Sequence, residues 1–281
     1  MAKAGVTNTA LFVAAVRARE GARPKPLFKD ELSAVLAGKE GIAWLAASEV
    51  DPQSNYRRDS FPYLEVRTRF FDDWLLGSLR AAKANQVVLL GAGMDTRAFR
   101  LAWPKGVKLW EVDTHDLFSI KERRLRSAGA APLCSRFVVE SDLSKRGWSR
   151  ALVGEGFSTD RPAVWLAEGL FEYLSAKAVG DILGTTASLS PMGSRLGAEI
   201  ISEEYMKRPA NRPAMERRRG HGAAWRFGTD DPEALFKARG WKVESKVGAS
   251  EAAVAFGRWA PNRPSRAGPP PASFVSSIRL G

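Results

Sequence analysis

The sequence is poor in the residues from which many active centres are built. One cysteine, Cys134, occurs in 281 residues, so an internal disulfide is excluded and a reducing compartment is expected. There are two histidines, His115 and His221, and no paired-cysteine motif. A zinc site would have to be built mainly from carboxylates, so no metal is expected. No apolar run approaches the ~20 residues of a membrane helix. No internal repeat is visible. These absences favour a cytoplasmic protein with no membrane partner, and a monomer is the default expectation.

What is present is ordinary for a globular chain: 44% hydrophobic and 26% charged residues, enough for a full α/β core. The net charge of +12 favours anionic partners, nucleic acid among them. Most arginines are scattered, as on a solvated basic surface. Arg217-Arg218-Arg219 is the exception. The N-terminal stretch MAKAGVTNTALFVAAVRARE is alanine-rich, basic and free of acids before Glu20, like a transit peptide. It reads equally as an amphipathic helix with Leu11, Val13, Ala14 and Val16 near one side.

The first eighty residues read mostly helical, interrupted at Pro24, Pro26 and Asp51-Pro52. Tyr63 to Ala82 carries Leu64, Phe71, Leu75 and Leu79 at helical spacing. Strand candidates follow at 87–90, 108–112, 136–139, 163–167 and 195–201. Helix candidates at 116–127, 144–153 and 175–189 lie between them, with Ser175 as an N-cap. A further helix opens at Asp231-Pro232-Glu233 and stops at Gly240. Strands at 241–246 and 274–278 flank a proline-rich, loop-like 250–271. The last strand has no room for a crossover helix before it, so it is expected antiparallel. The fold class is therefore α/β, Rossmann-like, with about seven strands and helices on both faces. One domain is expected: a helical cap (1–82), a cofactor-binding core (83–202), a lid insertion (203–229) and the rest of the sheet (230–281).

In such sheets ligands bind beyond the C-terminal strand ends. VVLLGAGMDTRAFRL places Gly91-Ala92-Gly93 after the first strand and a helix start after that. Asp113 ends the second strand, 22 residues after Gly91, where an acid can accept from ribose hydroxyls. A dinucleotide fingerprint would want glycine at position 96, but the chain has Thr96. Asp95 stands where a pyrophosphate would sit and would repel it. Asp142 and Leu143 follow the third strand and suit an adenine edge. Glu168 and Gly169 follow the fourth. A phosphate-free nucleoside is indicated, which S-adenosylmethionine satisfies and NAD does not.

These strings, GAGMDTRAFRL, EVD, SDL and AEGLFEYL, resemble the leucine carboxyl methyltransferase-like family of S-adenosylmethionine-dependent methyltransferases. The resemblance extends to Thr9-Ala10, Arg17-Ala18-Arg19-Glu20, Pro26-Leu27 with Asp30, the stretch from Val66 to Asp73, and the Gly240-Trp241 turn. It covers nearly the whole chain, and it makes the N-terminus part of the domain. It implies that Arg67 binds the methionine carboxylate, with Arg69 a rival. It also implies that Gly91, Ala92 and Gly93 approach the cofactor, Asp113 holds the ribose, Asp142 and Leu143 frame the adenine, and Glu168 lies near the methionine end.

The methyl donor is already activated, so catalysis can rest on proximity. A carboxylate acceptor needs no base, whereas a hydroxyl would benefit from Glu168, Tyr173 or Asp116. The segment from Glu203 to Phe227, with Arg208, Arg212, His221 and Trp225, is expected to cover the acceptor and favour an anion. The expectation is O-methylation of a small, anionic molecule. Alternatives are a protein C-terminal carboxyl methyltransferase, a nucleic-acid methyltransferase suggested by the charge, and a cofactor-binding protein without activity. Ala167-Glu168-Gly169-Leu170 lacks the Asn/Asp-Pro-Pro-aromatic string of base amino methylation.

Overall fold

The computed structural model describes residues 2–51, 54, 56, 60–260 and 272–280. Three N-terminal helices come first: α1 (Ala2–Gly21), α2 (Ser33–Val50) and α3 (Tyr63–Ala82). The alternating part runs β1 (Gln86–Leu90), α4 (Arg97–Arg100), β2 (Lys108–Asp113), α5 (His115–Ser127), β3 (Ser135–Glu140), α6 (Trp148–Gly154), β4 (Ala163–Ala167), α7 (Ala176–Ser188) and β5 (Arg195–Ile201). Two short helices, α8 (Glu203–Lys207) and α9 (Arg212–Gly220), precede α10 (Pro232–Lys237), β6 (Trp241–Gly248), α11 (Ala249–Ala255) and β7 (Ala272–Arg279).

The seven strands form one sheet in the order β3-β2-β1-β4-β5-β7-β6, with β7 antiparallel to both neighbours. β1 (QVVLL) and β4 (AVWLA) are buried at every position, as strands covered on both faces must be. They pair in parallel at the point where the strand order reverses. A crevice therefore opens beyond their C-terminal ends.

Trp110, Trp165, Phe157, Leu183 and Phe236 fill one side of the sheet. Phe71, Leu75, Leu79, Leu109 and Phe274 fill the other, under α3 and α11. A third cluster joins α1, α2 and α5 through Leu11, Phe12, Leu36, Leu45 and Leu117. Ser175 caps α7 by accepting from Ala178 N at 3.2 Å, and Asp231 caps α10 by accepting from Ala234 N at 2.9 Å. No described helix is long and apolar enough to cross a membrane.

The helix start expected after the glycine turn is present as α4 and lasts one turn, since Leu101 leaves it in an extended conformation. Several expectations need correction. α6 begins at Trp148 rather than at residue 144, since Gly147 takes φ +110° before it. The expected loop after residue 250 starts as α11, whose Ala252 and Ala253 bury against the α3 layer; residues 261–271 lie outside the described residues. α1 is not a simple amphipathic helix. Leu11, Phe12, Ala14, Ala15 and Val16 are all buried, while Val13 faces a pocket.

Candidate active site

The crevice holds a cavity of about 390 Å³, within the usual range for small-ligand sites. Its floor is the turn after β1. Gly91 and Gly93 take φ +67° and +50°, conformations that side-chain-bearing residues avoid. Gly91 N and Ala92 N both donate to Val112 O, at 2.9 and 3.2 Å, which ties the turn to β2. A Cβ on Gly91 would meet Leu170 Cδ1 at 2.8 Å, so that side chain would have to turn aside.

Asp113 closes β2 with its carboxylate over this turn. Oδ2 accepts from Gly93 N at 2.8 Å and Oδ1 from Thr114 N at 2.7 Å. Burial pushes its carboxyl up, and these two donors offset only part of that. Asp142, after β3, accepts from Ser144 N and Oγ at 3.0 and 2.6 Å. Leu143 lies beside it, and both line the cavity.

The fourth strand end supplies Glu168, a junction of buried charge. Its Oε1 is 2.8 Å from Arg67 Nε, and its Oε2 is 2.7 Å from Arg97 Nη2. Arg67 also pairs with Glu199 at 2.8 Å. Glu199 in turn accepts from Gly169 N at 2.8 Å and from the Tyr63 hydroxyl. Arg67 Nη2 makes no hydrogen bond to a described residue. Arg97 reaches on to Asp72 and Asp95. Asp72 reaches Arg100, and Asp30 joins Arg17 and Thr96. Arg17 also donates to Met94 O, so one connected network clamps α1, α3 and α4 around the turn.

Burial works against charge on Glu168, but Arg97 and Arg67 outweigh it and hold the carboxyl below its usual range. Burial also opposes the Asp95 charge; Arg97, Lys121, Arg17 and Arg100 together hold it at about 2. Burial, then the neighbouring Glu172, pushes the Tyr173 phenol up. Burial pushes the Glu199 carboxyl up to about 8.

All the residues expected at the cofactor site line this cavity: Arg67, Gly91, Ala92, Gly93, Asp113, Asp142, Leu143 and Glu168, with Tyr173. Arg69 turns away, to Asp73 at 2.7 Å and Leu27 O at 2.8 Å. Asp116 is exposed and does not line the cavity. The expected electrostatic role of Asp95 needs revision. It is paired with Arg97 at 2.5 Å, so its charge is largely compensated. It disfavours a pyrophosphate differently, by accepting from Arg97 N at 2.6 Å and so occupying the donor that a phosphate would use.

Reading the sequence missed the α1 wall, where Val6, Thr9, Ala10, Val13 and Arg17 line the cavity. It also missed Glu199, whose signal was an acid inside the apolar strand RLGAEII. The lid arginines part company. Arg208 pairs with Glu204 on an exposed turn, and Arg212 is exposed, whereas Arg218 stacks on Trp225 with its guanidinium carbon 3.9 Å from the ring centre. His221 packs on Trp44 with ring centres 5.6 Å apart. Among the described residues no group of three or more His, Cys, Asp or Glu is arranged to hold a metal.

Comparison with known proteins agrees with this geometry. The family profile of leucine carboxyl methyltransferase matches residues 10–187. A protein of Frankia alni is 39% identical over 90% of this chain and 88% of its own length. One from Streptomyces avermitilis is 36% identical over 98% and 96%. Both carry the name of S-adenosyl-L-methionine-dependent methyltransferases. The crystal structure of a DUF574 family protein from Streptomyces avermitilis aligns with a TM-score of 0.63 at 14% identity, covering 95% of this chain and 97% of the other. A methyltransferase structure from Thermobifida fusca aligns at 0.58 and 16% identity, covering 97% and 94%.

Proposed function

Since the chain belongs to the leucine carboxyl methyltransferase family and is an S-adenosylmethionine-dependent methyltransferase, we propose that it methylates a carboxylate oxygen of a small molecule. The observation that carries this reading is the lack of a competent base among the expected candidates. Glu168 has both oxygens committed to arginines and is held ionised by them. Tyr173 is pushed to a higher pKa, away from the phenolate a base would need. A carboxylate is already ionised at neutral pH and needs no base; a hydroxyl would need one.

The residues present fit the cofactor. Each Asp113 oxygen has one backbone donor and further lone pairs for ribose hydroxyls. Arg67 Nη2 has no hydrogen bond to a described residue, and a guanidinium edge suits the methionine carboxylate. Glu168 and Glu199 fix that guanidinium. Leu143 and Asp142 flank the position of the adenine. Gly93 leaves room above the turn, where an added Cβ would come no closer than 3.6 Å to Ala10. When bound, the cofactor supplies a methyl group on a sulfonium; the protein supplies alignment and exclusion of water. In this reading residues 1–82 cap the site, 83–202 hold the cofactor, 203–229 cover the acceptor and 230–281 complete the sheet.

The test is methyl incorporation from radiolabelled S-adenosylmethionine into panels of small carboxylic acids, alcohols, phenols, peptides and RNA. The expected label enters small acids and is released as methanol by mild base, as from an ester. Base-stable label, or label only in RNA or peptides, would overturn the reading.

A further inference from the structure

Arg218 Nε, Trp225 Nε1 and Glu172 Oε2 are buried polar atoms with neither a hydrogen-bond nor an ion-pair partner among the described residues, whereas Arg67 Nε, also without a hydrogen bond, is ion-paired to Glu168. Such atoms are rare in native proteins and call for a reason. They belong together. Arg218 stacks on Trp225, and Arg226 N donates to Glu172 O at 2.6 Å. The Arg218 guanidinium interacts electrostatically with three of the four tyrosines in the chain, Tyr56, Tyr173 and Tyr205, and Tyr56 accepts a hydrogen bond from it. No carboxylate of a described residue lies within ion-pair distance of Arg218, in contrast to Arg67 and Arg97. A half-buried guanidinium with no ion pair to a described residue, whose charge reaches Glu172 and Glu199 only at longer range, is costly unless an anion joins it. The cluster adjoins the cofactor cavity, because Tyr173 and Arg226, the chain neighbours of Glu172 and Trp225, line its wall.

We propose that Arg218 and Trp225 form the acceptor-recognition subsite, where Arg218 Nε–H and Trp225 Nε1–H both donate to the carboxylate of a small acid with an aromatic body. This rests on the methyl-transfer reading above. Glu172 Oε2 takes a neighbouring hydroxyl or amino group of the same molecule. The aromatic walls follow from Trp225 and the three phenols. A carboxylate has about four lone-pair sites, so two donors leave about two free, either of which can receive the methyl group. Methylation removes the charge that Arg218 holds, so the ester is bound more weakly than the acid and leaves.

The test is calorimetry on full-length protein saturated with S-adenosylhomocysteine. The probes are benzoate, phenylacetate and salicylate, each paired with its carboxamide and its methyl ester. At least one acid is expected to bind ~10-fold or more tighter than its amide and ester, the scale of one charge-assisted hydrogen bond. Arg218→Gln should erase that preference. Trp225→Phe, which keeps the stack and removes the N–H, should weaken the acid several-fold and leave the amide unchanged. Both variants should bind S-adenosylhomocysteine like the wild type, which shows that they fold. Equal binding of acid and amide, a preference that survives Arg218→Gln, or no binding of any acid would overturn the proposal while the cofactor reading stands. Failure of the wild type to bind S-adenosylhomocysteine would overturn both.

Discussion

Replacing Asp113 with alanine tests the ribose assignment at a position where the energies can be worked out. The carboxylate sits at the end of β2, and two backbone donors, Gly93 N and Thr114 N, fix it at 2.8 and 2.7 Å. It is therefore preorganised, and little ordering remains when a ligand arrives. Hydrogen bonds to a charged group contribute about 1.5–3 kcal/mol each. Two ribose hydroxyls thus stand for about 3–6 kcal/mol, or roughly 10²- to 10⁴-fold in Kd. The substitution also strands the Gly93 N–H in the turn, at about 1–3 kcal/mol of stability. Asp113→Asn keeps one acceptor oxygen but must aim its amide N–H at one of the two backbone donors, so it should fall between. Calorimetric titration of S-adenosylhomocysteine into the three proteins, with thermal melts alongside, reads both effects. A folded Asp113→Ala protein with Kd within about twofold of wild type would refute the assignment.

Arg67→Gln should weaken S-adenosylhomocysteine by about 10-fold or more and leave adenosine nearly unchanged, since only the former carries a methionine carboxylate; equal losses for both would remove Arg67 from that role. Gly91→Ala should destabilise by at least about 1–2 kcal/mol from the left-handed backbone alone. Its Cβ must also displace Leu170 from 2.8 Å, so ligand affinity should drop too; an unchanged denaturant midpoint would show that the turn had relaxed. Burial raises the Glu199 carboxyl from 4.5 to about 8, with the Gly169 N–H and the charge of Arg218 pulling the other way. Between those values the folded protein holds a proton that the unfolded chain has released, so stability should fall as pH rises from about 5 to 8. Glu199→Gln cannot titrate and should flatten that fall; identical slopes in melts at pH 5, 6.5 and 8 would contradict the assignment.

Much of the fold was legible because two signals agreed. Apolar strands with no polar face, such as VVLL and AVWLA, require cover on both sides, and β1 and β4 are indeed central. The short approach to the last strand left only an antiparallel pairing. The residues expected at the cofactor site line one cavity because strand ends converge by topology, whatever the loops do. The α1 wall was not legible, because Val6, Thr9 and Ala10 carry no chemical signature and reach the cavity only through packing on α2 and α5. Nor was the contrast among the lid arginines. Arg217, Arg218 and Arg219 read alike in sequence, and helical rotation in α9 turns Arg218 onto Trp225 while Arg217 and Arg219 stay exposed. The start of α11 was misread because alanine burial against α3 outweighed the proline-rich neighbourhood.

The central claim is that one cavity orients S-adenosylmethionine by its strand-end residues. A crystal structure with S-adenosylhomocysteine bound tests it most directly. The account predicts ribose hydroxyls on Asp113, adenine between Asp142 and Leu143, and the methionine carboxylate on Arg67, with the sulfur facing Tyr173. Cofactor density reversed in the cavity, or bound away from Asp113 and Arg67, would contradict it.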